Sequence, residues 1–600
     1  MKKSNKGIPH SIVSPMAAAI VGVEVKIGQM VEQGEIIATI ESMKMQTAIE
    51  SPVSGNVIDV NVIVGETIQS DHEICRIEES IGSSPAVKKT QSKAVDTRNP
   101  LDTLNQELQS SLDSGRTKAV SKRHAKGYRT ARENLHQLCD DGSFVEYGQL
   151  AVAAQRDRMT AEKLKSDTAA DGVITGLATI NRDQFGEHAT QVAVVINDYT
   201  VLAGTQGYFH HRKIDRILDQ AKRSFLPVVM YTEGGGGRPG DTDVKIQIAG
   251  LDVPTFATWA SLSGQVPMIA VNNGYCFAGN AALFGCGDIR IATKTSWIGM
   301  AGPAMIEGGG LGSFSPTDIG PIKIQAENGV VDLVADDESH ATELAKQCLS
   351  YFQGDNEDWQ CPDQLALRDI MPADRRYVYD VRSIITSLVD TESFIELTKD
   401  YGCAVITGFA RIEGRAIGLI ANDCRMLGGA VDAEAAEKTA RFITLCDNFD
   451  IPILSLCDSP GFMVGPASEE QAAVRRMAQL FVAGAKLSTP LVTIFLRKGY
   501  GLGAMAMAGG SFHKPIYSAS WPSGEFGGMG LEGAVRLGFK KELEAVADKE
   551  ERETLFAQLL EQMYEQGKAT EAASHLEIDA VIDPADTRGV IVRAFDSRLN

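Results

Sequence analysis

The 600-residue sequence has no apolar run of membrane-spanning length, and no apolar stretch follows its basic start, Met1-Lys2-Lys3-Ser4-Asn5-Lys6. A bilayer span needs about 20 apolar residues, and a secretory signal needs an apolar segment behind its basic end. Neither is predicted, so no membrane partner is expected. Cations are also in deficit: 58 Lys and Arg stand against 78 Asp and Glu, a net charge of −20. Without surplus cations to displace phosphate counterions, nucleic-acid binding is excluded. Ten cysteines, at positions 75, 139, 276, 286, 348, 361, 403, 424, 446 and 457, include no C-x-x-C pair. That removes a zinc ribbon and a thioredoxin-like dithiol, and no metal site is expected. Scattered thiols suit a reducing cytoplasm, where the chain is expected to reside.

What the chain does have is glycine, 58 residues of it, and two internal repeats. Its length exceeds one hydrophobic core and suggests roughly three or four domains. Residues 14–41 and 51–78 repeat at an offset of 37: Ser14-Pro15 matches Ser51-Pro52, Gly28 matches Gly65, and Ile40-Glu41 matches Ile77-Glu78. Both copies alternate apolar and polar residues between glycines (Val21, Val23, Val25, Ile27; Val57, Val60, Val62, Val64), the pattern of short strands. Two such halves predict a flattened β-sandwich over 1–80, with Lys44 at the turn joining them. Residues 81–100, rich in Ser, Ala, Lys and Thr, predict a flexible linker.

The second repeat fills the remainder, with an offset near 225. Pro227-Val-Val-Met-Tyr-Thr-Glu-Gly-Gly resembles Pro452-Ile-Leu-Ser-Leu-Cys-Asp-Ser-Pro-Gly, Ser296-Trp297 matches Ser520-Trp521, and Val173-Ile-Thr-Gly matches Val405-Ile-Thr-Gly. Strand patterns alternate with helical stretches at His211–Lys222 and Glu434–Phe449, so each copy reads as α/β. Interruptions at Gly354, Asp355, Asn356, Pro362 and Pro372 place the boundary within 355–375; the two halves are set at 101–360 and 361–600.

The chemistry-bearing motif of the sandwich is Glu41-Ser42-Met43-Lys44-Met45. A lysine between two methionines on an exposed turn is unusual, since methionines seek a core or a partner. Residues 11–79 resemble the biotin carboxyl carrier domain of biotin-dependent carboxylases; lipoyl domains share the fold but present Asp-Lys-Ala. The resemblance implies covalent biotin on Lys44, flanked by Met43 and Met45.

From about residue 120 onward the chain resembles the carboxyltransferase (β-type) subunit of acyl-CoA carboxylases. The segments that carry the likeness include Lys122-Arg-His-Ala-Lys-Gly, Thr130-Ala-Arg-Glu, Ala278-Gly-Asn-Ala, Asp458-Ser-Pro-Gly-Phe and Arg497-Lys-Gly-Tyr-Gly. The implied fold is two crotonase-like ββα domains, in agreement with the repeat. The implied activity is transfer of CO₂ from carboxybiotin to the α-carbon of an acyl-CoA.

Such a transfer develops negative charge on the thioester oxygen and on the ureido oxygen of biotin. Each calls for preorganised N–H donors, which a tight turn opening a helix supplies. The sequence offers one such turn per repeat: Phe277-Ala-Gly-Asn-Ala and Gly501-Leu-Gly-Ala-Met, with Gly279 and Gly503 separated by 224. By resemblance, the Gly279 and Asn280 amides stabilise the enolate and those of Gly503 and Ala504 hold biotin. Asn280 departs from the family's Gly-Gly, and Leu502 is read as lengthening the second turn by one residue. The family's acyl-length selector, two residues beyond the second pair, then falls at Ala506, whose small side chain suits a longer acyl group. No protein base is singled out: Asp458 reads as a turn former before Pro460, and His210 and His211 as satisfied helix-start residues. Tyr231-Thr-Glu-Gly-Gly-Gly-Gly-Arg-Pro-Gly lacks the Gly-Lys-Ser/Thr ending of a P-loop; it reads as a CoA-binding loop or a strand-end turn.

No ATP-grasp segment is evident, so a separate biotin carboxylase is implied as a partner, with a biotin protein ligase acting on Lys44. The resemblance also implies a homo-hexamer with active sites between subunits. Fusing carrier and transferase raises the local concentration of biotin at its second site. The alternative is the transferase component of a sodium-pumping decarboxylase running the reaction in reverse.

Overall fold

The computed structural model describes residues 8–80, 99–244 and 250–597 and divides into two compact units, Met1–Arg98 and Asn99–Asn600. The expected linker falls almost wholly on residues 81–98, outside the described residues.

The first unit is all β. One four-stranded sheet runs in the order Pro9–Val13, Glu73–Glu79, Gly55–Val60, Met30–Val31; the other runs Met45–Glu50, Ile36–Ser42, Ala18–Val23, Thr67–Ile68. The offset of 37 maps Ala18–Val23 onto Gly55–Val60 and Ile36–Ser42 onto Glu73–Glu79, placing matched strands in opposite sheets. Alternate residues point inward, as the two-residue strand period demands. Ile20, Val31, Ile37, Ile40, Val57, Ile74 and Ile77 form the fully buried seam. Even the strand-entry turns are duplicated: Ser14 Oγ donates to the Met16 carbonyl (2.7 Å) and Ser51 Oγ to the Val53 carbonyl (2.6 Å).

The second unit contains two similar mixed sheets. The first orders its strands Leu333–Ala335, Ile289–Thr293, Met268–Asn272, Val228–Tyr231, Gln191–Asn197, Val173–Thr179, Val145–Glu146. The second follows the path Ile395–Leu397, Val405–Ile412, Arg415–Asn422, Ile453–Ser459, Leu491–Tyr500, Tyr517–Ser520, Ala580–Val581. Central strands such as Val228–Tyr231 and Ile453–Ser459 are buried along their whole length, as parallel strands covered on both faces must be. Helix Tyr208–Ser224 in the first half and Ala433–Asn448 in the second occupy matched positions. These are the crotonase-like ββα domains expected from the resemblance, and the same chain also carries an all-β biotinyl domain.

The halves are knit together at Asp332. This fully buried carboxylate receives Arg290 at 3.0 Å from its own half and Arg441 at 2.7 Å from the other, and the Asp332 carbonyl accepts the Thr398 N–H at 2.7 Å. Two guanidinium partners satisfy a charge that would be costly to bury alone. No helix among the described residues is long and apolar enough to cross a membrane.

Candidate active site

Hairpin geometry builds the Lys44 turn. Ser42 pairs with Met45, which leaves Met43 and Lys44 as a two-residue loop. Both take positive φ, 51° and 67°, as a two-residue turn between right-twisted strands requires. Glycine and asparagine suit such positions better. Met43 is 95% exposed, Met45 is 72% exposed, and Lys44 is exposed between them. An amine held clear of a rigid sandwich, inside an apolar collar, fits covalent attachment of a prosthetic group that must engage other surfaces.

In the first transferase half, strand Tyr275–Phe277 pairs in parallel with Trp297–Gly299 and runs into helix Gly279–Gly285. Ala278 makes the corner with φ 51°. A Cβ on Gly279 would stand 2.4 Å from Gln206 Oε1 and 3.2 Å from Phe256 Cζ, so a larger residue would displace the Gln206 side chain. The first N–H groups of a helix have no intrahelical acceptor, so the Gly279 and Asn280 amides are the donors this corner offers. Gln206 itself is buried, and its Nε2 has no partner among the described residues.

The second turn repeats this plan. Leu491–Tyr500 pairs through Lys498, Gly499 and Tyr500 with Glu525–Gly527, and Gly501 turns the corner with φ 58° into helix Gly501–Met507. Here strand pairing corrects the sequence register. Val228 pairs with Met268 as Ile453 pairs with Leu491, and Phe277 faces Gly299 as Tyr500 faces Gly527. The offset across the turns is therefore 223, not 224. Ala278 corresponds to Gly501, Gly279 to Leu502 and Asn280 to Gly503. Leu502 is not an inserted residue; it stands where the first half has Gly279. Gly503 is required sterically, because its Cβ would lie 2.4 Å from the Gly461 carbonyl carbon. The position two beyond the pair becomes Met505. Ala506 is wholly buried, whereas Met505 lines a cavity of about 380 Å³ with Gly501, Phe512, Phe526 and His575.

Other sequence expectations fare unevenly. Asp458 is no mere turn former: fully buried, it accepts from Tyr379 Oη (2.9 Å), Arg497 Nη2 (3.0 Å) and the Lys498 N–H (3.0 Å). Arg497 Nη1 also donates to the carbonyls of Arg375 and Tyr377 at 3.0 and 2.8 Å. This network anchors the strand end that leads into the second turn. His211 is satisfied by Thr255 Oγ1 at 2.9 Å. His210 is satisfied only at Nδ1, against the Asp171 carbonyl (3.0 Å); its Nε2 is orphaned, and burial drives its pKa down to about 3. In the loop after Tyr231, Arg238 is already engaged by Asp171 (2.6 Å) and Asp241 (2.9 Å), and Glu233 by Arg123 (2.6 Å). That favours the strand-end reading of this loop over a charged phosphate cradle. No group of three or more His, Cys, Asp or Glu among the described residues could hold a metal ion, and all ten cysteines are free.

Comparison with known proteins accords with this geometry. The carboxyl transferase domain family matches residues 122–600, and the biotin-requiring enzyme family matches residues 10–77. The chain is 32% identical over 506 residues to the propionyl-CoA carboxylase beta chain of Saccharopolyspora erythraea, covering 81% of this chain and 90% of that one. A solved single-chain, multi-domain long-chain acyl-CoA carboxylase superposes with a TM-score of 0.79 at 49% identity, covering 99% of this chain. The chain spans 56% of that protein's length. The transcarboxylase 12S subunit, solved as a hexamer with methylmalonyl-CoA bound, superposes with a TM-score of 0.72 at 30% identity, covering 83% of this chain and 94% of that one.

Proposed function

This chain belongs to the carboxyl transferase family and carries a biotin-requiring domain, and from that premise we propose that it moves a carboxyl group from biotin on Lys44 to the α-carbon of an acyl-CoA. The observation that carries this reading is the pair of matched helix-opening turns, at Gly279 and Leu502, in a chain that also presents Lys44 on an exposed hairpin. When bound, biotin supplies an activated carboxyl group. The protein's part is to hold and polarise. The Gly279 and Asn280 amides face the thioester oxygen and stabilise the charge that grows as the α-proton leaves. The second turn serves the ureido oxygen. Gly503 remains in that donor set, with Leu502 as its structurally matched neighbour and Ala504 one residue deeper in the helix. Met43 and Met45 guide the carrier turn onto its target surfaces.

We read the chain as a carrier over 1–80, a linker over 81–100 and transferase halves over 101–360 and 361–600; the separate sheets support this division. A separate biotin carboxylase charges the biotin, and a biotin protein ligase modifies Lys44. The reading includes a homo-hexamer, supported by the assembly of the 12S relative, and a cytoplasmic site, supported by ten unbridged thiols. A long-chain acyl-CoA is the favoured acceptor, on the likeness to the long-chain carboxylase.

The test is reconstitution: biotinylated full chain, a biotin carboxylase, ATP and labelled bicarbonate, screened over acyl-CoAs of increasing length. Label is expected on the acyl-CoA, with longer chains preferred. No transfer to any acyl-CoA despite full biotinylation would overturn the reading. Equal turnover of acetyl-CoA would overturn the chain-length preference alone. Tight co-purification with an integral membrane subunit would favour the decarboxylase.

A further inference from the structure

The register across the two turns exposes an asymmetry. At the second turn Gly503 lets the helix pack directly on Gly461. At the first turn the matched residue is Asn280, whose side chain is fully buried and reaches the matched loop instead. Asn280 Oδ1 accepts the Gly236 N–H at 3.0 Å, while Nδ2 donates to the Thr232 carbonyl at 3.1 Å and lies 3.4 Å from the Gly204 carbonyl. One carboxamide thus joins three segments, 203–206, 232–237 and 278–280. Backbone bonds weave the first two together: Gly235 N–H to the Ala203 carbonyl (3.1 Å), Gln206 N–H to the Gly236 carbonyl (2.8 Å) and Arg238 N–H to the Gln206 carbonyl (2.8 Å). The fit leaves no slack. A Cβ on Gly234 would fall 2.3 Å from Asn280 Nδ2, and one on Gly236 would fall 2.7 Å from the Ala278 Cβ.

We propose that the Asn280 side chain is a positioning residue for the first turn, clamping the glycine-rich loop 232–237 onto the corner so that the Gly279 and Asn280 amides are held in their reactive orientation. The inference rests on the functional reading of that turn. A backbone donor needs no particular side chain, but a corner residue with positive φ needs something to hold it. A second glycine could supply the amide here but not the clamp. Removing the carboxamide leaves the buried Gly236 N–H and Thr232 carbonyl without this partner, and the loop can then move against the corner. Misplacement of donors is expressed in the transition state more than in ground-state binding.

Two variants of the full biotinylated chain test this. Asn280→Gly installs the small residue found at Gly503. It should lower kcat for acyl-CoA carboxylation by roughly tenfold to a hundredfold with KM little changed, and amide exchange should quicken within 232–238 while the rest of the fold keeps its protection. Asn280→Asp is the conservative counterpart. Its neutral carboxyl can accept from Gly236 and donate to Thr232, whereas its carboxylate faces two carbonyls, so its activity relative to the unsubstituted enzyme should recover as pH falls. Unchanged kcat and loop exchange in Asn280→Gly would overturn the proposal. So would a kcat loss matched by faster exchange throughout the fold, with no pH-dependent recovery in Asn280→Asp. If the unsubstituted chain carboxylates no acyl-CoA, the functional reading fails instead, and the exchange data still decide whether Asn280 is a clamp.

Discussion

Lys213 and Lys438, 225 residues apart, perform the same task in the two transferase halves. Each lies on a buried helix face and caps backbone carbonyls of the preceding segment. Lys213 Nζ donates to the Ala170 carbonyl (3.0 Å) and to that of Val173; Lys438 Nζ donates to Thr398 (3.0 Å) and Tyr401 (2.9 Å). Burial pushes both ammonium groups down to a pKa of about 8, from 10.5.

A base whose folded pKa lies below its unfolded value binds fewer protons folded than unfolded between the two. These lysines therefore make stability rise with pH from about 8 towards 10.5, and the burial penalty is fully present below that window. The double variant Lys213→Met, Lys438→Met lacks this dependence. Urea midpoints at pH 7 and pH 9.5 should show the unsubstituted chain gaining on the double variant at the higher pH. A constant difference would refute the assignment.

Lys44→Arg keeps the charge and the turn but removes the acylatable amine. It should incorporate no biotin in a streptavidin blot and support no carboxyl transfer, while the melting transition of the β-sandwich is unchanged. Biotin found on another lysine would displace Lys44 from its role.

Arg497→Met removes the nearer cation from the buried Asp458 carboxylate, which Tyr379, the Lys498 N–H and the Lys498 ammonium at 3.7 Å then face. Stranding a buried charge outright costs about 3–5 kcal/mol, and the remaining Lys498 cation should hold the loss below that range. The double change Asp458→Asn, Arg497→Met should recover part of that loss. If the double variant is no more stable than the single in denaturant unfolding, the pair is not the coupled unit described.

Met505→Phe narrows the cavity beside the second turn and should shift turnover from long towards short acyl-CoAs; Met505→Ala should do the reverse. Ala506→Ile instead overpacks a filled core and should destabilise by about 1–3 kcal/mol with no change in chain-length ratio. Relative kcat/KM over an acyl-CoA series separates the two positions.

Much of this was legible in the linear chain because the signals were local. The 37-residue repeat and the Met-Lys-Met turn need only short-range alternation and glycine spacing. The register of the second turn was not legible, because matching Gly279 to Gly503 looks natural when glycines are aligned to glycines. Only the ladder between strands shows that Leu502 stands at the position of Gly279. Asp458 was misread for a related reason. Its neighbours Ser459 and Pro460 spell a turn, while its true partners Arg497 and Tyr379 lie 39 and 79 positions away. His210 shows the same limit, since no nearby residue announces that its Nε2 will be walled off.

The change of offset from 225 to 223 has a bearing on how such a chain can vary in length. Val228 to Met268 spans 40 positions and Ile453 to Leu491 spans 38, although both segments join the same pair of neighbouring strands. The surplus sits upstream of the corner and leaves the pairing on either side in step. Beyond the clamped loop 232–237 and the close-packed Gly461, the chain between these strands is therefore where insertions can be tolerated and where engineered tags or recognition loops can be grafted. Wholly buried Asn280, and Gly503 with the Gly461 carbonyl carbon 2.4 Å from where its Cβ would stand, have no such latitude.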